Sequence, residues 1–91
     1  MAKIHVVRNA YEADVVAAKV LDAAEADIHV FLEPGGARAL GDARWFYALK
    51  FGATCKLFWA GRDDANALKV FFVKEESQAK WVKDHVLRGQ L

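Results

Sequence analysis

Residues 70–81, VFFVKEESQAKW, show the unit from which this chain is built. A hydrophobic run leads into a short polar segment, which ends in a small residue (Ala79), a polar residue (Lys80) and a large apolar residue (Trp81). An apolar run bounded by polar turn residues is typical of a short β-strand. The segment therefore predicts a strand, a turn and the start of a further element.

The same unit recurs upstream. In each complete copy an acidic residue or Gln precedes an Ala and a polar residue follows it, with the Ala at positions 13, 26, 65 and 79; a partial copy lies at 42–45. The spacing is shorter than the ~20–50 residues of solenoid repeats, and the copies are unevenly separated in mid-chain. We therefore expect a compact pseudo-symmetric domain, although a hydrophobic run followed by a turn also recurs in unrelated small β-containing proteins.

Three of these phrases carry a resemblance to a known family: YEADV at 11–15, AEADI at 24–28 and VKEESQAKW at 73–81. They resemble a family of small uncharacterised bacterial proteins built from repeated units of a strand and an S-x-A-D-like turn. The resemblance covers most of the chain and is weakest between residues 33 and 53. It implies a deeply knotted backbone with seven crossings, and it implies no assigned activity.

Size and composition predict a single packed domain over residues 1–91. The hydrophobic fraction is 55%, and three Trp, six Phe and two Tyr provide bulky side chains to bury. A chain of this length can build one core, with little surface area to spare. We therefore expect a globule rather than a disordered segment.

Charge and targeting patterns exclude several classes of partner. The formal net charge is +1, whereas a nucleic-acid-binding domain normally carries a basic face with a clear positive excess. No window approaches the ~18 consecutive apolar residues of a membrane span, and the first residues lack the features of a signal peptide. We expect a cytoplasmic protein with no nucleic-acid or membrane partner, and a monomer in preference to a homo-oligomer.

Hydrophobic alternation predicts strands over residues 3–7, 28–32, 55–59 and 68–73. Two interpretations stay open for residues 10–24. Apolar residues there recur at helical spacing in an Ala-rich stretch, whereas the repeat predicts a strand between two Glu-Ala-Asp turns. Local propensity favours the helix, because Ala17 and Ala18 are poor strand residues.

Two further helices follow from local patterns. Residues 42–51 begin with the cap-type Asp42 and are followed by Gly52. Residues 77–87 carry one apolar face with oppositely charged pairs four residues apart. The predicted fold class is α+β: one compact domain of short strands separated by helical turns, with a pseudo-repeat architecture and a C-terminal helix.

Residues 34–38, PGGAR, offer bare backbone N–H groups and Arg38 to an anion. They lack the Gly-Lys-Ser/Thr of a P-loop and the spacing of a dinucleotide turn, so a tight turn is favoured. Arg62, Asp63 and Asp64 place two carboxylates beside a guanidinium without EF-hand spacing, which favours a solvated loop.

The single cysteine, Cys55, cannot form an intrachain disulfide or a Cys-x-x-Cys site. It lies in an apolar strand, where a buried and unreactive thiol is usual. The histidines His5, His29 and His85 are far apart in the chain. We expect no cofactor and no metal site.

These observations favour a small non-enzymatic binding or structural domain. The alternative is a small enzyme or ligand-binding protein whose site is assembled from loop residues, because loops often carry function. The candidate residues are Arg38, Arg62, Asp63 and Asp64. A third possibility is a homo-oligomer that uses an exposed strand edge or the Trp81 face.

Overall fold

The strands of the protein form one sheet. The computed structural model describes residues 2–35 and 41–91. Short 3₁₀ turns lie between several strands, at Ala10–Glu12, Ala23–Glu25, Lys50–Gly52 and Glu76–Gln78. The strands are β1 (Ala2–Val6), β2 (Val15–Lys19), β3 (Ile28–Leu32), β4 (Arg44–Tyr47), β5 (Cys55–Ala60), β6 (Leu68–Val73) and β7 (Lys80–Trp81).

The sheet closes on itself as a barrel of parallel strands. Within the described ranges the order is β4, β1, β5, β2, β6, β3, and β3 pairs again with β4. All six of these pairings are parallel. The short β7 runs antiparallel to the beginning of β3, with Trp81 opposite Ile28, while β4 pairs with the end of β3. The α+β prediction is therefore wrong: the described chain is nearly all β.

The chain travels round this barrel twice. On the first circuit it moves from β1 to β2 and from β2 to β3, and each step skips one place in the ring. On the second circuit β4, β5 and β6 fill the skipped places. Consecutive strands are therefore not hydrogen-bonded to each other, except for β3 and β4. Most connections must cross over a strand that belongs to the other circuit.

Several strands of this winding begin at a regular interval. Strands β1, β2 and β3 begin at residues 2, 15 and 28, and β5 and β6 begin at 55 and 68, so the interval within each of these runs is 13 residues. Each strand is also displaced by two residues relative to its neighbour in the ring, since Ile4 pairs with Cys55 and Ala17 pairs with Leu68. This regular stagger places equivalent residues of all six strands at the same height in the barrel.

Inward-facing residues consequently form two buried layers of six. The ring is narrow, so large side chains need small ones opposite them. Trp45 of β4 is fully buried, and it lies in the same layer as Ala17 of β2, three places away in the ring. The lower layer is Ala2, Val15, Ile28, Ala43, Cys55 and Leu68, and the upper layer is Ile4, Ala17, Val30, Trp45, Leu57 and Val70.

Polar residues directly before three of the strands, β2, β3 and β5, hold each of them against a neighbouring strand of the other circuit. Asp14 donates its N–H to the Lys56 carbonyl (2.8 Å) and accepts the Lys56 N–H on Oδ2 (2.9 Å). Asp27 makes the same two bonds to Lys69, at 2.8 and 2.9 Å. Thr54 does so with Lys3, at 2.8 and 3.0 Å. These clamps fix the strand register, because a slip by one residue would turn the apolar face outward.

The predicted helix over residues 10–24 is wrong, and the alternative from the repeat is right. The stretch contains the 3₁₀ turn Ala10–Glu12, strand β2 and the 3₁₀ turn Ala23–Glu25. Its alanines are in a strand for a steric reason. Both Ala17 and Ala18 are fully buried, and Ala17 shares its core layer with the much larger Trp45, so a narrow ring favours a small residue there.

The C-terminal helix over 77–87 and the helix over 42–51 are also wrong. Residues 42–51 contain β4, and Asp42 caps no helix: its Oδ2 accepts the Trp81 indole N–H (2.6 Å) and the Gly89 N–H (2.7 Å). The backbone N–H groups of Val82 and Lys83 donate to Asp27. The tail makes these bonds to the barrel in addition to short-range bonds of its own, such as the one from the Arg88 N–H to the His85 carbonyl. It extends the amino end of the barrel, where Leu91 is buried in the core.

Replacing Asp27 tests the clamp. We expect Asp27→Ala to lower the free energy of unfolding by about 1–3 kcal/mol, because it removes a charged acceptor from the Lys69 amide. Asp27→Asn should cost less, since its amide oxygen still accepts. The measurement is urea denaturation, with Asp63→Ala as an exposed control that should change stability by less than about 0.5 kcal/mol. Equal effects of Asp27→Ala and Asp63→Ala would contradict the clamp.

Candidate functional site

A third layer of inward positions lies at the carboxyl ends of the strands. Alternation continues the two core layers into Val6, Lys19, Leu32, Tyr47, Trp59 and Phe72. Unlike the core layers, this layer is partly open to solvent: Tyr47 is 45% exposed and Val6 43%. In parallel α/β sheets and barrels the carboxyl ends of strands are the usual place for a ligand. We call this end of the barrel the carboxyl mouth.

The three aromatic residues of the carboxyl mouth come from alternate places in the ring. Tyr47, Trp59 and Phe72 belong to β4, β5 and β6, which are the strands of the second circuit. The rings of Trp59 and Phe72 meet edge to face with centroids 5.8 Å apart, and Phe72 meets the buried Trp45 in the same way at 6.4 Å. Trp45 therefore supports Phe72 from below, which gives the mouth an aromatic floor.

A cavity of about 380 Å³ opens above this floor, and it has two cations at its edge. Its lining is Lys19, Tyr47, Trp59, Ala60, Gly61, Arg62 and Phe72. The Lys19 ammonium lies over the face of Phe72, with Nζ 5.4 Å from the ring centroid, which is a cation–π contact. Lys19 and Arg62 make no ion pair with any carboxylate in the described ranges.

Tyr47 adds a hydrogen-bonding group to the aromatic wall. Burial raises the pKa of its phenol above the ordinary value of 10.0. The hydroxyl is therefore protonated at neutral pH, where it can both donate and accept a hydrogen bond. A general base needs a pKa close to the working pH, so the environment of Tyr47 favours recognition over proton transfer.

Three of the four loop residues that the sequence proposed as a site lie in the described part of the chain. Arg62 lines the carboxyl mouth. Asp64 builds its own loop instead: Oδ1 accepts the Asn66 N–H (2.9 Å), and its carbonyl accepts the Lys69 ammonium. Asp63 is exposed and does not line the cavity. Arg38 lies outside the described residues.

Four residues of the mouth were missed by sequence reasoning: Lys19, Tyr47, Trp59 and Phe72. In each strand this residue lies two positions after the residue of the upper core layer. The alternation of inward and outward residues along the strands was therefore enough to place these four side chains inside the barrel. It could be used only once the stretch containing Lys19 was recognised as a strand. In the predicted helix over residues 10–24, nothing in the pattern would have grouped Lys19 with the aromatic residues of the strands.

Two of the histidines hold the connections between strands against the barrel. His5 contacts the Ala48 carbonyl through Nδ1 (3.1 Å), and His29 contacts the Ala23 carbonyl through Nε2 (3.0 Å). A carbonyl only accepts, so these nitrogens carry the protons and donate. His85 stacks on Trp81 with ring centroids 5.5 Å apart. No group of three or more His, Cys, Asp or Glu residues in the described part of the chain could hold a metal ion.

Cys55 is buried in the lower core layer, at the opposite end of the barrel from the mouth. Burial, and secondarily the negative charge of Asp14, raise the pKa of its thiol from 9.0 to about 11. The thiolate is the reactive form of cysteine, so this residue is poorly suited to act as a nucleophile at neutral pH. Its environment agrees with the expectation of a buried thiol.

Comparison with known protein families gives one match. The model of the 7(1) septoil knot domain family matches residues 1–82. This chain belongs to the septoil knot domain family. Searches of curated proteins and of solved structures found no significant match. None of the helices in the described ranges of this septoil knot domain has the length and apolar character needed to cross a membrane.

The two interleaved circuits of the chain agree with the family's name. A 7(1) knot is a double winding that crosses itself seven times, and this septoil knot domain winds twice round its barrel with crossovers over the strands of the other circuit. The resemblance that the sequence carries is therefore confirmed. Family membership assigns neither an enzymatic nor a binding role.

The protonated state of Cys55 has a measurable effect on alkylation. At pH 8 a thiol with a pKa of about 11 is ionised about 100-fold less than one with a pKa of 9.0. We expect iodoacetamide to modify the native domain at least about 100-fold more slowly than the urea-unfolded chain, with a rate that rises steadily up to pH 11. Equal native and unfolded rates at pH 8 would show that the thiol is accessible and normally ionised.

Refolding kinetics test the knot. Small domains fold within about seconds, whereas threading adds a slow step to a knotted chain, so we expect refolding from urea to take minutes or longer. Proline isomerisation is a second source of slow phases, and Pro34 is the single proline. The Pro34→Ala variant removes that source and should keep the slow phase. Complete refolding of this variant in one phase of about a second would count against the knot.

Proposed function

We propose that this septoil knot domain is a non-enzymatic binding module that takes a small ligand in its carboxyl mouth. The supporting observation is the change in composition between the layers of the barrel. The two lower layers are apolar and closed, whereas the third layer presents Tyr47, Trp59, Phe72 and Lys19 to a cavity of about 380 Å³. Exposed aromatic groups cost hydrophobic free energy unless a ligand covers them.

The size of the cavity and the chemistry of its lining fit this proposal. Small-molecule sites usually have volumes of about 300–1,000 Å³ and combine apolar walls with a few polar groups. The mouth offers aromatic walls, the Tyr47 hydroxyl and two cations. The floor is supported by the buried core through Trp45, so the site is formed before a ligand arrives. A preformed site avoids the ordering cost that a flexible loop would bring to binding.

The residues of the carboxyl mouth support the alternative, a small enzyme, less well than they support a binding module. Rings and permanently charged groups recognise a ligand, whereas general acid–base catalysis needs a group that titrates near the working pH. The raised pKa of Tyr47 and the distance of Cys55 from the mouth both favour binding over catalysis. The loop residue Arg62 belongs to the proposed site, whereas Asp64 bonds within the loop and the exposed Asp63 does not line the cavity.

The three tryptophans provide a direct test, because their indole N–H groups report on different places. Trp59 lies in the carboxyl mouth, Trp45 in the core and Trp81 at the amino end, where it donates to Asp42. In a fragment screen followed by ¹H–¹⁵N NMR, we expect hits to shift the Trp59 indole signal and to leave the Trp81 signal in place. Fragments that move Trp81 alone would place the binding site elsewhere and contradict the proposal.

Tyrosine variants provide the matched control for the same screen. Tyr47→Ala should weaken the binding of hits by about two- to tenfold, because an aromatic contact is worth about 0.5–1.5 kcal/mol beyond its buried area. Tyr11 is 85% exposed on the first crossover and does not line the mouth, so Tyr11→Ala should have no effect. An equal loss of affinity in both variants would indicate non-specific adsorption.

A further inference from the structure

The charges at the carboxyl mouth narrow the chemical class of the ligand further than the shape of the cavity does. The two ionisable groups that are charged at neutral pH among the lining residues are Lys19 and Arg62, and both are cationic. The carboxylate closest to Lys19 in sequence is Asp22, which accepts the Ala24 N–H (2.9 Å) and does not line the cavity. The carboxylates closest to Arg62 are Asp63 and Asp64. Neither lines the cavity, and Asp64 is engaged in its own turn. The mouth therefore presents a positive edge above an aromatic floor.

From this arrangement we propose that the ligand is a flat aromatic anion: one or two fused rings that carry a carboxylate, sulfonate or phosphate. This inference rests on the proposed function of the mouth. The flat part lies among Tyr47, Trp59 and Phe72, since offset and edge-to-face contacts between rings are favourable. The anionic group lies at the edge, within reach of Lys19 and Arg62, and the Tyr47 hydroxyl can donate to it.

The position of the Lys19 ammonium supports an anionic ligand. The Lys19 Nζ lies 5.4 Å from the ring centroid of Phe72 on the neighbouring strand β6, without a carboxylate partner in the described ranges. A cation–π contact at an exposed site is weak, and an anion that binds Lys19 replaces it with a charge-assisted hydrogen bond.

A set of four probes of similar size separates the two parts of this inference. The probes are 1-naphthaleneacetate (aromatic anion), 1-naphthalenemethanol (aromatic and neutral), 1-naphthylmethylammonium (aromatic cation) and cyclohexylacetate (non-aromatic anion). Each is titrated into the intact protein and followed by the Trp59 indole signal. We expect 1-naphthaleneacetate to bind at least about fivefold more tightly than each of the others, and added salt to weaken its binding.

Charge variants identify the cations that are responsible. Lys19→Gln should weaken 1-naphthaleneacetate binding by about three- to tenfold and leave 1-naphthalenemethanol unchanged, because loss of one charge-assisted hydrogen bond affects the anion alone. Arg62→Gln should act in the same direction. Lys50→Gln is the matched control: Lys50 is exposed on a crossover and does not line the mouth. Unchanged ¹H–¹⁵N spectra outside the mouth show that each variant is folded.

The outcomes distinguish the inference from the proposed function. If 1-naphthalenemethanol binds at the mouth as tightly as the anion, the anionic part of the inference is wrong and the binding function stands. If cyclohexylacetate equals 1-naphthaleneacetate, the aromatic part is wrong. If none of the four probes moves the Trp59 signal at millimolar concentration, this ligand class is rejected. The proposed function then fails as well if the fragment screen leaves Trp59 unmoved.

Discussion

The interleaving of two chain circuits in one barrel is the constraint on which the structure depends. A strand of the first circuit has its neighbours in the second, so that Ile4 pairs with Cys55 and Ile28 with Val70. Local hairpins cannot supply these pairings, and each new strand needs its own means of finding the correct register. The bonds of Asp14, Asp27 and Thr54 to the facing backbone provide it. Each of these three polar residues follows an Ala and comes directly before a strand.

Much of the fold could be predicted from the sequence because the repeat records the winding unit. The strands at 28–32 and 68–73 agree with the structure, and the repeat also identified β2. Helix propensity was misleading at Ala17 because it describes an isolated chain. In the folded barrel, the Trp45 indole in the same core layer limits the size of the residue at this position. Helix propensity failed in the tail because Trp81 bonds to Asp42, 39 residues away, in preference to a helical turn. Both errors come from long-range contacts that a local pattern does not contain.

The candidate site was harder to predict, for a related reason. Arg62 was identified because loops carry function, and it does line the carboxyl mouth. Lys19 and the aromatic residues lie within strands and look like core or surface positions in the sequence. They form a site because the closed barrel places the carboxyl ends of the strands from both circuits at the same height. Composition identifies such residues as aromatic or basic, but only the closed order of strands shows that they share a cavity.

Closure of the ring also affects how the folded protein behaves toward other copies of itself. Open sheets present rows of unpaired N–H and C=O groups, which can template edge-to-edge association and cross-β aggregation. In the described ranges each of the six barrel strands has a partner on both sides, and the outer side of β7 spans only the two residues Lys80–Trp81. The native state therefore offers little backbone for strand addition.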